Sequence, residues 1–157
     1  RDDVESRGLG DVYKRQYIVT GIKGRWQQDG HIGYALEYYK ENSKYPAVIR
    51  EVVPVQQMNE NRSTLEALIQ ALHRMKEKCI LTVYTESKYL YSGYEDAEYV
   101  KRWKQNDWTR SDGHEIKNRD KWQELDRLIQ GNLIRILLNQ RNAYTESLRQ
   151  EIKIKER

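Results

Sequence analysis

An apolar run of strand length, Cys79 to Thr85 (CILTVYT), constrains the fold of this chain more than any other segment. Strands with apolar residues on both faces are typical of a sheet that helices cover on each side. The residues before the run have the period of an amphipathic helix, with apolar side chains at Leu65, Leu68, Ile69, Leu72 and Met75. A helix that leads directly into a buried strand predicts an α/β domain.

Segments on both sides of this helix and strand complete the predicted sheet. Tyr17–Thr20, Ile32–Tyr39 and Ala47–Val55 are rich in β-branched or aromatic residues and are separated by turn residues, which predicts an antiparallel meander. Downstream, the pattern predicts three short helices, a fifth strand and a last helix, at Ser87–Tyr91, Ala97–Gln105, Asn118–Gln130, Leu133–Leu138 and residues 143–156. We therefore expect one domain with a five-stranded mixed β-sheet, an antiparallel meander plus parallel strands, flanked by helices.

Residues 1–16 (RDDVESRGLGDVYKRQ) differ from the rest of the chain because they have no apolar period. The string GLGDVYKRQ resembles translated library-adapter sequence, which occurs at the ends of reading frames from fragmented metagenomic assemblies. We expect residues 1–16 to be a non-native leader with few contacts, and residues 17–157 to form the single domain. The alternative is a genuine but disordered leader.

The amino-acid composition restricts the cellular location and the kind of partner that the protein can have. No apolar run approaches the roughly 18 residues that a membrane span requires, so we expect no membrane association. Cys79 is the single cysteine of the chain, which excludes an internal disulfide and fits a reducing, cytoplasmic location. A net charge of +4 permits an anionic partner without requiring one. We expect a monomer.

Three strings of the chain are distinctive. The first is Glu60-Asn61-Arg62 with Ala71-Leu72, Lys76-Glu77 and Cys79 in register after it. The second is Thr85-Glu86-Ser87-Lys88-Tyr89, and the third extends from Trp103-Lys104 through Lys117-Asn118 to Leu125-Asp126. Together they resemble type 1 ribonuclease H over about residues 17–152, and the resemblance implies a ribonuclease H-like fold. It also implies an ancestry in enzymes that cut the RNA strand of an RNA–DNA hybrid.

The catalytic positions of that family are altered in this chain. The family holds two Mg²⁺ ions with four carboxylates, because hard cations prefer oxygen ligands and close ions need neutralisation. In register, Thr20 replaces the first-strand Asp, Thr64 replaces the helix Glu, and Arg149 or Gln150 replaces the last-helix Asp. Glu86 is the residual acid. The resemblance therefore implies a degenerate, catalytically inactive member without a bound metal.

The family's basic handle is retained, here residues 99–121, with seven basic and four acidic residues. By resemblance, the candidate nucleic-acid contacts in it are Lys101, Trp103, Lys104, Trp108, Lys117, Asn118 and Arg119. Basic groups neutralise phosphates, and aromatic rings offer stacking surfaces. The alternative is that the Trp residues pack a small core and the cations form a solvated face.

Asn61 and Arg62 resemble residues that contact the minor groove of a hybrid in the family. The alternative for Asn61 is a helix N-cap, a role that is also open to Ser63 or Thr64.

These observations favour a non-catalytic, ribonuclease H-like domain that binds an RNA–DNA hybrid or another duplex. One alternative is an active or weakly active hybrid ribonuclease that uses Mg²⁺ with Glu86 and displaced acids. A second alternative is a protein–protein interaction module on the same fold.

Overall fold

The computed structural model describes residues 13–39, 43–75 and 78–157, which form one sheet and five helices. The strands are β1 (Tyr13–Thr20), β2 (Gln28–Tyr38), β3 (Ala47–Met58), β4 (Ile80–Thr85) and β5 (Leu133–Leu138). The helices are α1 (Glu60–His73), α2 (Lys88–Tyr94), α3 (Tyr99–Gln105), α4 (Arg119–Ile129) and α5 (Thr145–Lys155). None of the helices in these ranges is long and apolar enough to cross a membrane.

The sheet has the strand order β3-β2-β1-β4-β5. Strands β1, β2 and β3 form an antiparallel meander, and β4 lies parallel to β1 and to β5. Tyr17, at the centre of the sheet, lies opposite Ala35 of β2 and Tyr84 of β4. The predicted five-stranded mixed sheet is confirmed.

Strand β1 begins earlier than the sequence pattern predicts. Lys14, Arg15 and Gln16 pair with both β2 and β4, and Gln16 is fully buried. The prediction that residues 1–16 make few contacts is therefore wrong for these three residues. These residues were not predicted as part of the strand because they are polar, and a central strand was expected to be apolar. Residues 1–12 lie outside the described residues, and the adapter-like origin of residues 1–16 stays a prediction.

The two faces of the sheet bury different apolar clusters because successive side chains on a strand point to opposite faces. Ile18 packs in the larger cluster, which α1, α2 and α4 cover. Tyr17 and Val19 pack in a smaller cluster with Leu148 and Ile152 of α5. Helix α5 therefore lies on the face opposite to α1, at the side of β1 and β2.

Helix α1 is capped by Asn59, not by Asn61, Ser63 or Thr64 as expected. Asn59 has extended backbone angles, and its side chain accepts a hydrogen bond of 2.9 Å from the backbone N–H of Arg62. The first turn of the helix is polar, so the apolar period begins later than the helix itself.

Candidate functional site

Three of the predicted catalytic positions lie together at one edge of the sheet. Thr20 ends β1 and Glu86 follows β4, and the two strands are parallel, so their carboxyl ends meet. Thr64 of α1 is buried beside them. A cavity of about 60 Å³ is lined by these residues together with Lys23 and Glu60, among others. This is the place in an α/β sheet where ligands bind most often.

The two threonine hydroxyls at this edge are engaged in hydrogen bonds within the protein. The oxygen of Thr20 lies 2.6 Å from the hydroxyl of Ser63 and accepts the backbone N–H of Ile22 at 3.0 Å. Thr64 donates to the backbone carbonyl of Glu60 at 2.9 Å. Both side chains therefore stabilise the junction between α1, β1 and the loop that follows β1. Ser63, a fully buried partner in this junction, was not anticipated from the sequence.

Glu86 forms an ion pair with Arg149 of α5. The same guanidinium contacts Glu146, whose Oε1 lies 2.5 Å from Nη1 of Arg149. The hydrogen bond to Glu86 is the main cause that raises the pKa of Arg149 above its ordinary value. Gln150, by contrast, is exposed and donates to Glu146 at 2.7 Å. Of the two candidates for the last-helix position, Arg149 is the one that reaches Glu86.

The donor set at this edge does not fit a pair of magnesium ions. Mg²⁺ requires several oxygen ligands, and two close ions require several carboxylates. Here two positions carry threonines, and Glu86 is already paired with a guanidinium. Within the described ranges, no group of three or more His, Cys, Asp and Glu side chains could hold a metal ion. Arg149 instead supplies a fixed positive charge to Glu86 and Glu146.

Arg62 and Asn118, two predicted nucleic-acid contacts, lie together beside α4. Arg62 donates to both carboxylate oxygens of Asp120, at 2.9 and 2.6 Å, and to the side-chain oxygen of Asn118 at 3.2 Å. The hydrogen bond from Arg62 holds the pKa of Asp120 down to about 2. Arg62 is therefore occupied by an internal carboxylate, while Asn61 on the same turn is exposed.

The tryptophans of the handle pack against one another and against the core. The ring of Trp103 meets the buried Trp122 edge-on, with 5.5 Å between centroids, and lies 6.4 Å from Trp108. Trp122 donates its indole N–H to the hydroxyl of Tyr89 at 2.8 Å. The tryptophans therefore pack a small core, which was the alternative to contact with nucleic acid. This packing fixes α3 to α4 and positions the cations around them.

The handle cations differ in how far they are already neutralised. Lys104 pairs with Asp126 at 3.0 Å. Lys101, Lys117 and Arg119 have no carboxylate within ion-pair distance in the part of the chain that the structure describes. Lys101 and Lys117 are exposed, and Arg119 is half-buried. Lys117 also borders an aromatic groove of about 430 Å³ with walls that include Tyr89, Tyr99 and Trp103.

The model of the RNase H family matches residues 20–137. Ribonuclease HI of Haemophilus influenzae is 40% identical over 78 residues, which are 50% of this chain and 49% of that protein. Ribonuclease H of Francisella tularensis subsp. novicida is 47% identical over 68 residues, 43% of each chain. The chain thus spans about half the length of the curated relatives that it matches.

Solved structures confirm the ribonuclease H-like fold. LC9-RNase H1, a type 1 RNase H with the type 2 active-site motif, superposes with a TM-score of 0.70 at 19% identity, over 93% of this chain and 71% of that one. LC11-RNase H1 in complex with an RNA/DNA hybrid has a TM-score of 0.56 at 14% identity, and the match covers 92% of this chain and 99% of that one. At such identities the likeness shows the fold alone.

Proposed function

The chain belongs to the RNase H family, and we propose that it is a non-catalytic member that binds nucleic acid, either an RNA–DNA hybrid or another duplex. One observation carries the non-catalytic part of this proposal. The guanidinium of Arg149 contacts Glu86 at the edge of the sheet where Thr20 and Thr64 also converge. A side-chain cation is thus paired with the residual acid of the family's metal site.

Electrostatics explains why this arrangement disfavours metal catalysis. A divalent ion at Glu86 would meet the positive charge of Arg149 at short range and be repelled by it. Displacing Arg149 would not restore a full ligand set, because neutral hydroxyls occupy two of the carboxylate positions. The ion would then keep most of its water ligands instead of bridging two protein carboxylates.

The binding part of the proposal depends on the handle. Lys101, Lys117 and Arg119 carry charges that no internal carboxylate neutralises in the described ranges, so they are available to phosphates. Lys101 lies on α3 and Arg119 begins α4, two helices that the packed tryptophans fix to the core, and Lys117 lies two residues before α4. The complex of LC11-RNase H1 with an RNA/DNA hybrid supports a duplex of this class as the ligand.

A magnesium-dependent ribonuclease is the second candidate, and one contact favours it. Glu86 and Glu146 both reach the same guanidinium, so two carboxylates lie around one cationic centre. If Arg149 moved aside, these two acids would be the displaced ligands of a metal ion. Cleavage of a hybrid by the unmodified protein distinguishes this candidate from the first.

The binding test is a fluorescence anisotropy titration of a labelled RNA–DNA hybrid at several salt concentrations. The variant Lys101→Ala/Lys117→Ala/Arg119→Ala should bind more weakly. Its slope of log affinity against log salt should be shallower by roughly 0.9 for each phosphate that the variant no longer neutralises. The matched control, Lys44→Ala/Lys153→Ala/Lys155→Ala, removes the same charge from exposed positions outside the handle.

The two variants separate the possible outcomes. Weaker binding by the handle variant alone supports the proposal, whereas equally weak binding by both variants would show that only the net charge matters. No binding of the unmodified protein to a hybrid, duplex RNA or duplex DNA at low salt would contradict it and favour a protein–protein interaction module.

A further inference from the structure

We propose that the loop of residues 21–27, between β1 and β2, is a second nucleic-acid contact in which Trp26 stacks on an unpaired base. The inference rests on the proposed binding function and adds a ligand feature to it, a single-stranded segment next to the duplex. Trp26 is 84% exposed, more than any other large hydrophobic side chain in the described part of the chain. Of the other three tryptophans, Trp122 is buried in the core, and Trp103 and Trp108 pack against it.

The loop holds Trp26 on a fixed backbone. The N–H of Gly24 donates to the carboxylate of Glu60 at 2.9 Å, and the N–H of Glu60 donates back to the carbonyl of Gly24 at 3.0 Å. Gly24 has a φ of +87°, a conformation that side chains rarely adopt. The side chain of Gln28 donates to the carbonyls of Lys23 and Trp26, at 2.9 and 3.1 Å. A preorganised loop lowers the entropic cost of binding through the exposed ring.

The charges around Trp26 fit an anionic partner. Lys23 and Arg25 are exposed, and neither has an ion-pair partner among residues 13–39, 43–75 and 78–157. Lys23 also lines the cavity beside Thr20 and Glu86, so the loop adjoins the former catalytic edge. Two cations that are unpaired in these ranges and lie beside an exposed indole match a partner that combines phosphates with bases that can stack, which favours nucleic acid.

An indole can stack only where a base presents a free face. In the interior of a duplex both faces of each base are covered by its neighbours, whereas single strands offer them to aromatic side chains. The ligand class that fits both surfaces is therefore a hybrid or duplex that continues into a single strand. The handle would bind the paired part, and Trp26 the first unpaired base.

The test compares three labelled probes: a blunt RNA–DNA hybrid, the same hybrid with a single-stranded thymidine extension, and oligothymidine alone. The extension should tighten binding by about 5-fold or more, which corresponds to the lower end of stacking energies of about 1–3 kcal/mol per base. Trp26→Ala should bind the blunt and the extended hybrid equally. Tyr45→Ala is the matched control, because Tyr45 is 78% exposed in another loop, and it should keep the gain. Quenching of Trp26 fluorescence should accompany binding of the extended probe.

The outcomes keep this inference apart from the proposed function. If the blunt hybrid binds and the extension adds nothing, or if Trp26→Ala keeps the gain, the stacking contact is refuted and the binding function stands. If neither hybrid binds, the proposed function fails. The stacking contact then stands if oligothymidine binds and quenches Trp26, and it is refuted if oligothymidine does not bind. Fluorescence quenching in the unmodified protein that is absent in Trp26→Ala supports the stacking contact. If the unmodified protein shows no quenching, the contact is refuted and a protein partner for Trp26 is favoured.

Discussion

Replacing Gly93 of α2 by Ala tests how tightly α2 packs against Trp122 of α4. A Cβ at position 93 would lie 2.4 and 2.5 Å from two ring atoms of Trp122. The indole cannot retreat, because Trp122 is 1% exposed, is hydrogen-bonded to Tyr89 and is packed by Trp103. Such overpacking costs about 1–3 kcal/mol, and the rigid ring places this site near the upper end. Alanine is favoured over glycine in a helix by about 1 kcal/mol, which offsets part of the cost.

The net expectation for Gly93→Ala is a decrease of about 2 kcal/mol in the free energy of unfolding. For a chain of this size that lowers Tm by about 4–8 °C in a thermal denaturation followed by circular dichroism. Gly33→Ala is the matched control. Its Cβ would meet Val52, Leu148 and Ile152 at 3.4–3.6 Å, which is ordinary contact, so Tm should stay within about 2 °C. Equal Tm values for Gly93→Ala and the unmodified protein would refute the packing argument.

Three further predictions concern the ion pairs and β1. Because Arg62 holds the pKa of Asp120 down to about 2, the pair stabilises the fold above pH 3.8, and that contribution is lost as the pH falls towards 2. Asp120 is 65% exposed, so the pair contributes less than about 1 kcal/mol to the free energy of unfolding. In urea denaturation, Asp120→Asn should therefore be less stable than the unmodified protein at pH 6 and equally stable at pH 2. Arg149→Gln removes the cation between Glu86 and Glu146, so titration calorimetry should detect Mn²⁺ binding by this variant and none by the unmodified protein; equal binding by both would contradict the role of Arg149. Deleting residues 1–16 should lower Tm by several degrees, because Lys14, Arg15 and Gln16 pair within the sheet, and an unchanged Tm would contradict that pairing.

The elements predicted from the sequence were those with a dense apolar pattern between clear turn residues. Strand β5 was predicted with the bounds it has, Leu133–Leu138, because turn residues enclose a run in which Arg135 is the one residue that is not apolar. The start of β1 was missed because Gln16 is polar, although it is buried and donates to the sulfur of Met75 at 3.2 Å. Polar residues in a central strand leave no periodic signal, so pattern reasoning places the start of the strand too late.

The candidate site shows the same division between local and distant information. The convergence of Thr20, Thr64 and Glu86 followed from a family resemblance that specifies which elements meet. The ion pairs that define the chemistry join positions far apart in the chain, Glu86 with Arg149 and Arg62 with Asp120. Composition and spacing contain no signal for such pairs. The neighbouring Glu146, three residues before Arg149 on a predicted helix, was the one local indication of a charge cluster there.

Cleavage of an RNA–DNA hybrid labelled on its RNA strand tests the central claim most directly. The purified protein is incubated with the hybrid in Mg²⁺ or Mn²⁺, and the products are separated on a denaturing gel beside those of Glu86→Gln. We expect no metal-dependent cleavage by the unmodified protein, because Thr20, Thr64 and the Arg149-paired Glu86 cannot hold two ions. Metal-dependent cleavage by the unmodified protein that disappears in Glu86→Gln would contradict the non-catalytic assignment.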